Sequence, residues 1–439
     1  MVKVCKFGGT SMANAEALAQ VKKIILSEPE RRYVVVSAPG KRNKADTKIT
    51  DALYACYNEV EQKGNCKQSF NFIRERFVEI KTELGLNLDI ESILDRTEQE
   101  IIENKSADFT ASRGEYLSAI CMAEYLGYEF IDAADIIRFD SHGRLNEDYT
   151  DDKVALKLSK IERAVIPGFY GKDFQGKIKT FSRGGSDITG SIIARGVRAD
   201  LYENWTDVSG FLVCDPRIVP EAKTISQITY RELRELSYMG ASVLHPEAIF
   251  PVMKGKIRIN IKNTFNPEDA GTMIVPNDKY ETTTNGNIVT GISGKKDFSV
   301  IYIEKSMMNS EVGFIRRVLS ILEHYNLRVE HLPSGIDTLS VVIANEGLKD
   351  GILNDIVNEI RENVSPDYVH VIENISLIAT VGHGMSRRVG TSAKIFNALA
   401  EADINIRIID QGSSELNIII GVANSDYEKC IQTIYRAFY

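Results

Sequence analysis

Lys6-Phe7-Gly8-Gly9-Thr10-Ser11 is the first segment whose residue types and spacing suit chemistry. Residues 2–7 alternate like a half-buried strand, two glycines follow, and an Ala-rich helical stretch runs from Ala13 to Leu26. A strand thus delivers a lysine, the glycines let backbone approach a ligand, and N–H groups at the helix start favour an anion. Phosphate binding follows from that arrangement. The lysine precedes the glycines, so this is no P-loop, and on spacing alone a tight turn with a surface lysine explains it equally well. A second glycine turn, Phe181-Ser182-Arg183-Gly184-Gly185-Ser186-Asp187, leads into a helix over residues 188–196. Arg183 suits bidentate recognition of a carboxylate, and Asp187 can orient Lys6 or hold a magnesium ion. Helix capping by Ser186 or Asp187 accounts for one polar residue but not for Arg-Gly-Gly as well, which favours a functional reading.

Two further constellations carry less. Asn204-Trp205-Thr206-Asp207-Val208-Ser209-Gly210 runs into Asp215-Pro216-Arg217 and holds the only Trp of the chain. An adenine or ribose could rest against such a segment with Arg217 near the phosphates; ordinary loop chemistry explains it as well. Arg113-Gly114-Glu115 precedes a helix expected over residues 116–125. Glu115 could meet a substrate ammonium, but a first-turn Glu is also ordinary helix chemistry, and the residues alone favour that reading. Gly171-Lys172-Asp173-Phe174-Gln175-Gly176-Lys177-Ile178 nearly matches a P-loop, yet Ile178 stands where Ser or Thr binds magnesium and no long helix follows. A β-hairpin turn fits it better. The chain has no G-x-S-x-G elbow and no H-E-x-x-H pair, and its six His are dispersed.

The elements that must position these residues alternate. Tyr33 to Ser37 reads as a buried strand, residues 46–126 as mainly helical, and residues 129–131 and 163–166 as short strands, the second ending in Pro167-Gly168. Such alternation argues for a largely parallel sheet covered by helices on both faces, with ligands at the loops beyond the strands' carboxyl ends. Residues 266–287, rich in Pro, Asp, Asn, Thr and Gly, read as the exit from this domain. Beyond them the order strand (299–303), helix with apolar Phe314, Val318, Ile321, Leu322 and Tyr325, strand (327–332), strand (338–343) and helix (352–362) recurs. It returns as strand (375–381), helix (391–401), strands (405–409 and 416–422) and helix (427–438). Two β-α-β-β-α units of ferredoxin-like type thus stand in tandem.

The length of 439 residues calls for about two or three domains. Charged residues make up 26% and the net charge is -8 without blocks, which argues against a nucleic-acid partner. The six cysteines, at 5, 56, 66, 121, 214 and 430, show no C-x-x-C spacing and read as reduced, buried thiols. No run of ~20 apolar residues argues for a membrane span, and no signal-peptide pattern opens the chain. A cytoplasmic protein is the expectation.

Taken in order, these motifs resemble the aspartate kinase family. The resemblance runs through Lys6 to Ser11, Val35-Val36-Ser37-Ala38, Gly114-Glu115, Ser182 to Asp187, Thr206 to Gly210, Asp215-Pro216-Arg217 and Gly240-Ala241-Ser242-Val243-Leu244-His245-Pro246. It spans essentially the whole chain, and the tandem units look like ACT domains. It implies an α/β amino-acid-kinase fold: a three-layer αβα sandwich with a mainly parallel sheet over residues 1–285, a linker and first strand at 286–296, and ACT-like units at 297–372 and 373–439. It implies ATP as phosphoryl donor, Mg²⁺ as its companion ion and L-aspartate as acceptor. Lys6 and Asp187 would be catalytic. Ser37, Thr47, Glu115, Arg183 and Ser186 would grip aspartate, and Lys6, Gly8, Gly9, Thr206, Asp207, Leu212 and Arg217 would surround the nucleotide. Lysine and/or threonine would act as effector at the ACT units, with Asn309, Ser310, Val312, Gly313, Phe314, Glu330, Ser334 and Asp337 as the candidate effector site. ACT pairing implies a homodimer or a dimer of dimers; no membrane or nucleic-acid partner is implied, and no fused dehydrogenase. The family often carries a lysine where Ser242 stands, so that contact to ATP is missing here or supplied elsewhere, with Lys41 and Lys172 as candidates. Rival readings are a kinase for another small anion, such as glutamate or a nucleoside monophosphate, and a non-catalytic amino-acid sensor. Intact Lys6, Arg183 and Asp187 argue against the sensor.

Overall fold

A computed structural model describes residues 1–182, 184–241, 248–280, 288–349 and 351–439. The chain divides into two compact units. The first comprises Met1–Phe211, Thr224–Tyr230 and Ser242–Tyr280; the second comprises Leu212–Lys223, Arg231–Ala241 and Glu281–Tyr439.

In the first unit, β1 (Lys3–Phe7) passes through a single 3-10 turn into α1 (Ala15–Leu26), followed by β2 (Arg31–Val36). Four helices follow: α2 (Ile49–Lys63), α3 (Lys67–Leu84), α4 (Ile90–Asn104) and α5 (Ala107–Leu126). Then come β3 (Glu129–Phe130), α6 (Ala133–Ile136), β4 (Arg138–Phe139), α7 (Glu147–Leu158) and β5 (Ala164–Pro167). β6 (Tyr170–Asp173) and β7 (Ile178–Thr180) pair antiparallel as a hairpin, so the near-P-loop segment is a turn. α8 (Gly185–Gly196) leads to β8 (Leu201–Thr206) and, after a long excursion, β9 (Gln227–Thr229). α9 (Tyr230–Tyr238), whose residues after Tyr230 belong to the second unit, precedes α10 (Ile249–Lys254), β10 (Arg258–Asn263) and β11 (Thr272–Val275).

The main sheet has the order β3-β5-β2-β1-β8-β10-β11-β9. Its pairs from β3 to β10 are parallel. Burial on both faces explains the apolar run Tyr33–Val36 of β2; β1, whose alternation reads as half-buried, is instead buried from Val4 to Phe7, Lys6 included. On one face Phe7, Val34, Val36 and Trp205 pack against Leu18, Val21 and Ile25 of α1 and Met122 of α5. On the other, Tyr202 of β8 reaches α8. The expected mainly parallel sheet between helical layers is what the chain forms. One boundary differs from expectation: the helix read as starting at 116 begins at Ala107, because Ser106 caps it through the Phe109 N–H.

The second unit is built on β12 (Gly291–Glu304), α11 (Phe314–His324), β13 (Thr338–Ala344), α12 (Ile352–Val364), β14 (Tyr368–Val381), α13 (Thr391–Glu401), β15 (Ile408–Asp410), β16 (Asn417–Ala423) and α14 (Tyr427–Phe438). The sheet order is β13-β12-β14-β16-β15, antiparallel throughout. The two β-α-β-β-α repeats share long strands. Residues 298–304 of β12 serve the first repeat, while residues 291–295 pair with the end of β14 and so serve the second. The strand expected at 327–332 is reduced to bridges of His331 with Val342 and Ser334 with Leu339. It lies beyond the edge strand β13, and Pro333 has no N–H to extend a ladder. α11 buries Phe314, Val318, Ile321 and Leu322 against Ile301, Ile303 and Val341, which is the one-face spacing read from the sequence. Among the described residues no helix is long and apolar enough to cross a membrane.

Candidate active site

Parallel strands bring their carboxyl ends to one edge of the main sheet. β1 ends at Phe7 and delivers Gly8, β2 ends at Val36 and delivers Ser37, and β5 ends at Pro167 just before Phe169. Lys6, Ser37, Phe169 and the start of α8 line a cavity of about 220 Å³, with Thr50 and Glu115 contributed by α2 and α5. That is below the ~300–1,000 Å³ typical of drug-sized ligands, as a small metabolite requires.

The Lys6 ammonium lies 2.5 Å from Asp187 Oδ1. Asp187 stands in the first turn of α8, whose N-cap is Gly184 with no side-chain cap. The Asp187 Oδ1 receives Lys6 and, at 2.9 Å, the Asn204 amide. Gly185 is needed for close approach: a Cβ there would lie 2.5 Å from Phe169 Cδ2. Phe169 itself has φ +77, a left-handed conformation unusual for a bulky residue. Its N–H donates to Thr189 Oγ1 at 3.0 Å and its carbonyl accepts from Phe181 N–H at 2.9 Å, which together hold the strain.

Glu115 sits in the interior of α5, not in a first turn, so the helix-start explanation for it fails. It is 5% exposed, and its Oε2 is buried without a hydrogen-bond partner. Burial pushes its carboxyl up to about 8, against the pull of the Ala38 N–H and of the Arg113 and Lys6 charges. A buried, half-satisfied carboxyl facing a cavity is an acceptor waiting for a cationic donor. Arg113 does not fill that role: its guanidinium stacks over Phe109 and Tyr116, both at 4.4 Å.

Beneath the cleft lies a second charged cluster. Glu203, 2% exposed, accepts from Arg31 Nε at 2.7 Å and Trp205 Nε1 at 2.9 Å, with Lys3 at 3.5 Å. Burial opposes its ionisation, yet the bonds and charge of Arg31, with Trp205 and Lys3, hold the carboxyl below its ordinary range. Trp205 is no platform for a base: it is 1% exposed and stacks on Phe7 with ring centroids 5.9 Å apart.

The remaining expected residues fall into groups. The Gly8 N–H donates to Trp205 O at 3.0 Å, and Thr10 and Thr206 hydroxyls both donate to Asp207 at 3.2 Å. Gly8, Gly9, Thr206 and Asp207 thus come together at the ends of β1 and β8. Ser186 is buried in the first turn of α8 beside Asp187. Thr47 is exposed ahead of α2, and Thr50 rather than Thr47 lines the cavity. Leu212 and Arg217 belong to the second unit, where the exposed Arg217 guanidinium folds back on Asp215 at 2.6 Å. Lys41 is exposed, and Lys172 pairs with Asp135 at 3.4 Å. Arg183, Ser242 and His245 lie outside the described residues. Sequence reading missed Thr50 and Phe169. Only Pro167-Gly168, a turn after a strand, pointed toward Phe169.

Residues 1–263 match the amino acid kinase family, and residues 378–438 match the ACT domain. The chain is 39% identical to aspartokinase 3 of Bacillus subtilis over all of its length and 99% of that protein. The structure of Clostridium acetobutylicum aspartate kinase superposes with a TM-score of 0.91 at 51% identity, covering all of both chains. The chain belongs to the aspartokinase family. It is a kinase, and its second unit carries the ACT fold. Escherichia coli aspartokinase III, solved with aspartate and ADP, superposes with a TM-score of 0.74 at 25% identity over the whole chain and 99% of its own. The same enzyme has been solved with lysine and aspartate, at 26% identity.

The other expected site residues lie at the turns that enter the second unit's helices. Asn309 and Ser310 lie in a 3-10 turn after β12, Val312 is 95% exposed, and Gly313 (φ 80) caps α11 ahead of buried Phe314. Asp337 meets this turn: its Oδ1 accepts from Met307 N–H at 2.8 Å and its carbonyl from Lys305 N–H at 2.9 Å. Glu330 instead accepts from the Tyr238 hydroxyl, and Ser334 bridges to Leu339. The structure therefore joins residues 309–314 with Asp337, while Glu330 is engaged elsewhere. The second repeat copies the motif: a 3-10 turn at Met385–Arg387, exposed Val389, and Gly390 (φ 91) before α13.

Proposed function

We propose that the enzyme transfers the γ-phosphoryl group of ATP to the β-carboxylate of L-aspartate, giving 4-phospho-L-aspartate and ADP. The observation that carries this reading is the juxtaposition in one small cavity of the Lys6–Asp187 pair and the half-satisfied carboxyl of Glu115, whose Oε2 lacks a partner. A carboxylate nucleophile is already ionised at neutral pH, so no general base is needed. The obstacle is repulsion between two anions, and positioning with charge neutralisation supplies the rate.

Each residue then has a part. Glu115 takes the α-ammonium of aspartate, which supplies the donor its Oε2 lacks. Arg183 takes the α-carboxylate, and Ser37, Ser186 and Thr50, the last in place of Thr47, hold the substrate's remaining polar atoms. Lys6, kept in place by Asp187, offsets charge on the transferring group, while the Gly9 backbone N–H holds its oxygens, the Gly8 N–H being donated to Trp205 O. Thr206 and Asp207 border the nucleotide, and Leu212 and Arg217 remain the further nucleotide-binding candidates. Mg²⁺ would supply further neutralisation of phosphate charge. Among the described residues no group of three or more His, Cys, Asp or Glu side chains could hold a metal. The ion would be carried chiefly by the nucleotide's phosphates, with Asp187 as the carboxylate beside them.

We also assign residues 1–285 to catalysis, 286–296 to the linker and first strand, and 297–372 and 373–439 to regulation. The reaction would open the route to lysine, threonine and methionine. Lysine and/or threonine would feed back through the ACT units at residues 309–314 and Asp337, and ACT pairing would make a homodimer or dimer of dimers. The lysine complex of the Escherichia coli relative supports the effector class.

Hydroxylamine trapping of acyl phosphate tests the reaction. ATP-dependent hydroxamate should form with aspartate and not with glutamate, and nucleoside monophosphates, which cannot give a hydroxamate, should not raise ADP release. No product with aspartate, or a preference for glutamate, would overturn the assignment. Titration with lysine and threonine, singly and together, tests regulation; absence of both binding and inhibition removes that part.

A further inference from the structure

We propose that Asn204 is a positioning residue for phosphoryl transfer, acting through Asp187. This deepens the reading that Lys6 and Asp187 work as a pair and rests on it. β8 lies between two parallel neighbours and is buried over residues 201–205. Such a strand is ordinarily an apolar run, and each buried polar group must be satisfied or it destabilises the fold. β8 breaks the pattern twice, at Glu203 and Asn204, 2% and 3% exposed. Glu203 and Asn204 point to opposite faces. Glu203 is satisfied on the α1 side by Arg31 and Trp205. Asn204 faces α8.

There the Asn204 amide Nδ2–H donates to Asp187 Oδ1 at 2.9 Å, the same oxygen that receives Lys6 at 2.5 Å. The convergence is built into the sheet, because Lys6 and Asn204 are direct partners in the β1–β8 pairing. Two residues earlier on the same face, the Tyr202 hydroxyl donates to the Asp187 main-chain carbonyl at 3.2 Å. β8 thus fixes Asp187 at its side chain and its backbone. Without the amide, one carboxylate oxygen would answer to a flexible lysine alone, and both would be free to move off the transfer geometry. Asn204 reaches no substrate in this arrangement; it holds the group that holds Lys6.

The test compares Asn204→Leu, of similar size without a donor, with Asn204→Ala and Asn204→Ser, which differ by one hydroxyl. Steady-state kinetics with aspartate and urea unfolding are measured on the full chain, alongside Lys6→Ala and Asp187→Ala. Loss of a hydrogen bond to a charged group predicts a kcat fall of roughly 10- to 100-fold in Asn204→Leu. The KM for aspartate should stay within about 2-fold, because uniform binding is untouched. Asn204→Ser should recover part of the kcat lost in Asn204→Ala. A purely structural role would instead lower the unfolding midpoint and leave kcat per folded molecule unchanged. The inference is overturned if kcat per folded molecule in Asn204→Leu matches the parent, or if the loss lies in KM alone. Should Asn204→Leu fail to fold, equal kcat for the Ala and Ser variants overturns it. Near-normal turnover in Lys6→Ala or Asp187→Ala would sink the underlying pair instead, which separates the two failures.

Discussion

The cleft of the first unit and the helix-entry turns of the second are both glycine-marked strand-to-helix junctions, yet they treat charge in opposite ways. In the cleft, Lys6 and Glu115 are 7% and 5% exposed, and each is aimed by strands or helices packed on several sides. At the turn before α11, Glu311 pairs with Lys305 and Arg317 at the surface, and Val312 stands in solvent. Buried charges are expensive to desolvate and therefore hold one geometry. Exposed pairs contribute about 0–1 kcal/mol and can be exchanged for a ligand at little loss. The difference teaches that a site for chemistry is preorganised by burial, while a site for sensing keeps its polar groups within reach of water.

The sharpest way to break this comparison is Lys6→Ala. It should lower kcat by about a thousandfold or more while the fold persists, since electrostatic stabilisation dominates phosphoryl transfer; activity and circular dichroism report the two. Near-normal turnover would mean that burial of Lys6 serves structure.

Glu203→Ala comes next. It leaves Arg31 buried without its main partner, and breaking such a pair costs about 3–5 kcal/mol, read as a lower unfolding midpoint in urea. The pH dependence has a definite sign. The Glu203 carboxyl titrates lower in the folded protein than unfolded, so its stabilisation is present above its ordinary 4.5 and is lost as pH falls through the lower folded value. The variant should lack that part of the acid transition.

Glu115 sharpens the comparison by titration. Folding raises its carboxyl to about 8, whereas an ammonium needs it ionised. The KM for aspartate should fall as pH rises toward 8 and level above it. The same shift makes Glu115 destabilising to the fold increasingly from pH 4.5 to 8. Glu115→Gln should flatten the KM profile and raise stability at pH 8; a KM profile unchanged by the substitution would remove Glu115 from the ammonium site.

The smallest effect belongs to the second unit. Gly313, at φ 80, has only the ends of Arg316 and Arg317 near a would-be Cβ, so Gly313→Ala meets strain and no clash. A loss of about 1–2 kcal/mol is expected from the left-handed backbone alone, measured by thermal unfolding, with basal kcat unchanged.

The sequence made the parallel strands, the two glycine turns, the amphipathic α11 and the repeat order legible, because each rests on local spacing or on residue types with few conformational options. Glu115 was legible only as a name. Its place inside α5 depended on a helix starting at Ser106, and its burial depended on α5 packing across the loop after β2. Thr50 carried no local signal, and Phe169 only that of the Pro167-Gly168 turn before it.

What residues 6, 8, 9 and 187 would do was written in their chemistry and neighbours. Which groups they would meet was not. Asn204 reads in sequence as one more polar residue beside a Trp. It becomes the partner of Asp187 only because β1 and β8, separated by most of the first unit's chain, pair in parallel with Lys6 opposite Asn204. Side-chain chemistry is local, but hydrogen bonds across a sheet are set by register between distant strands, and register is fixed only when the whole layer packs.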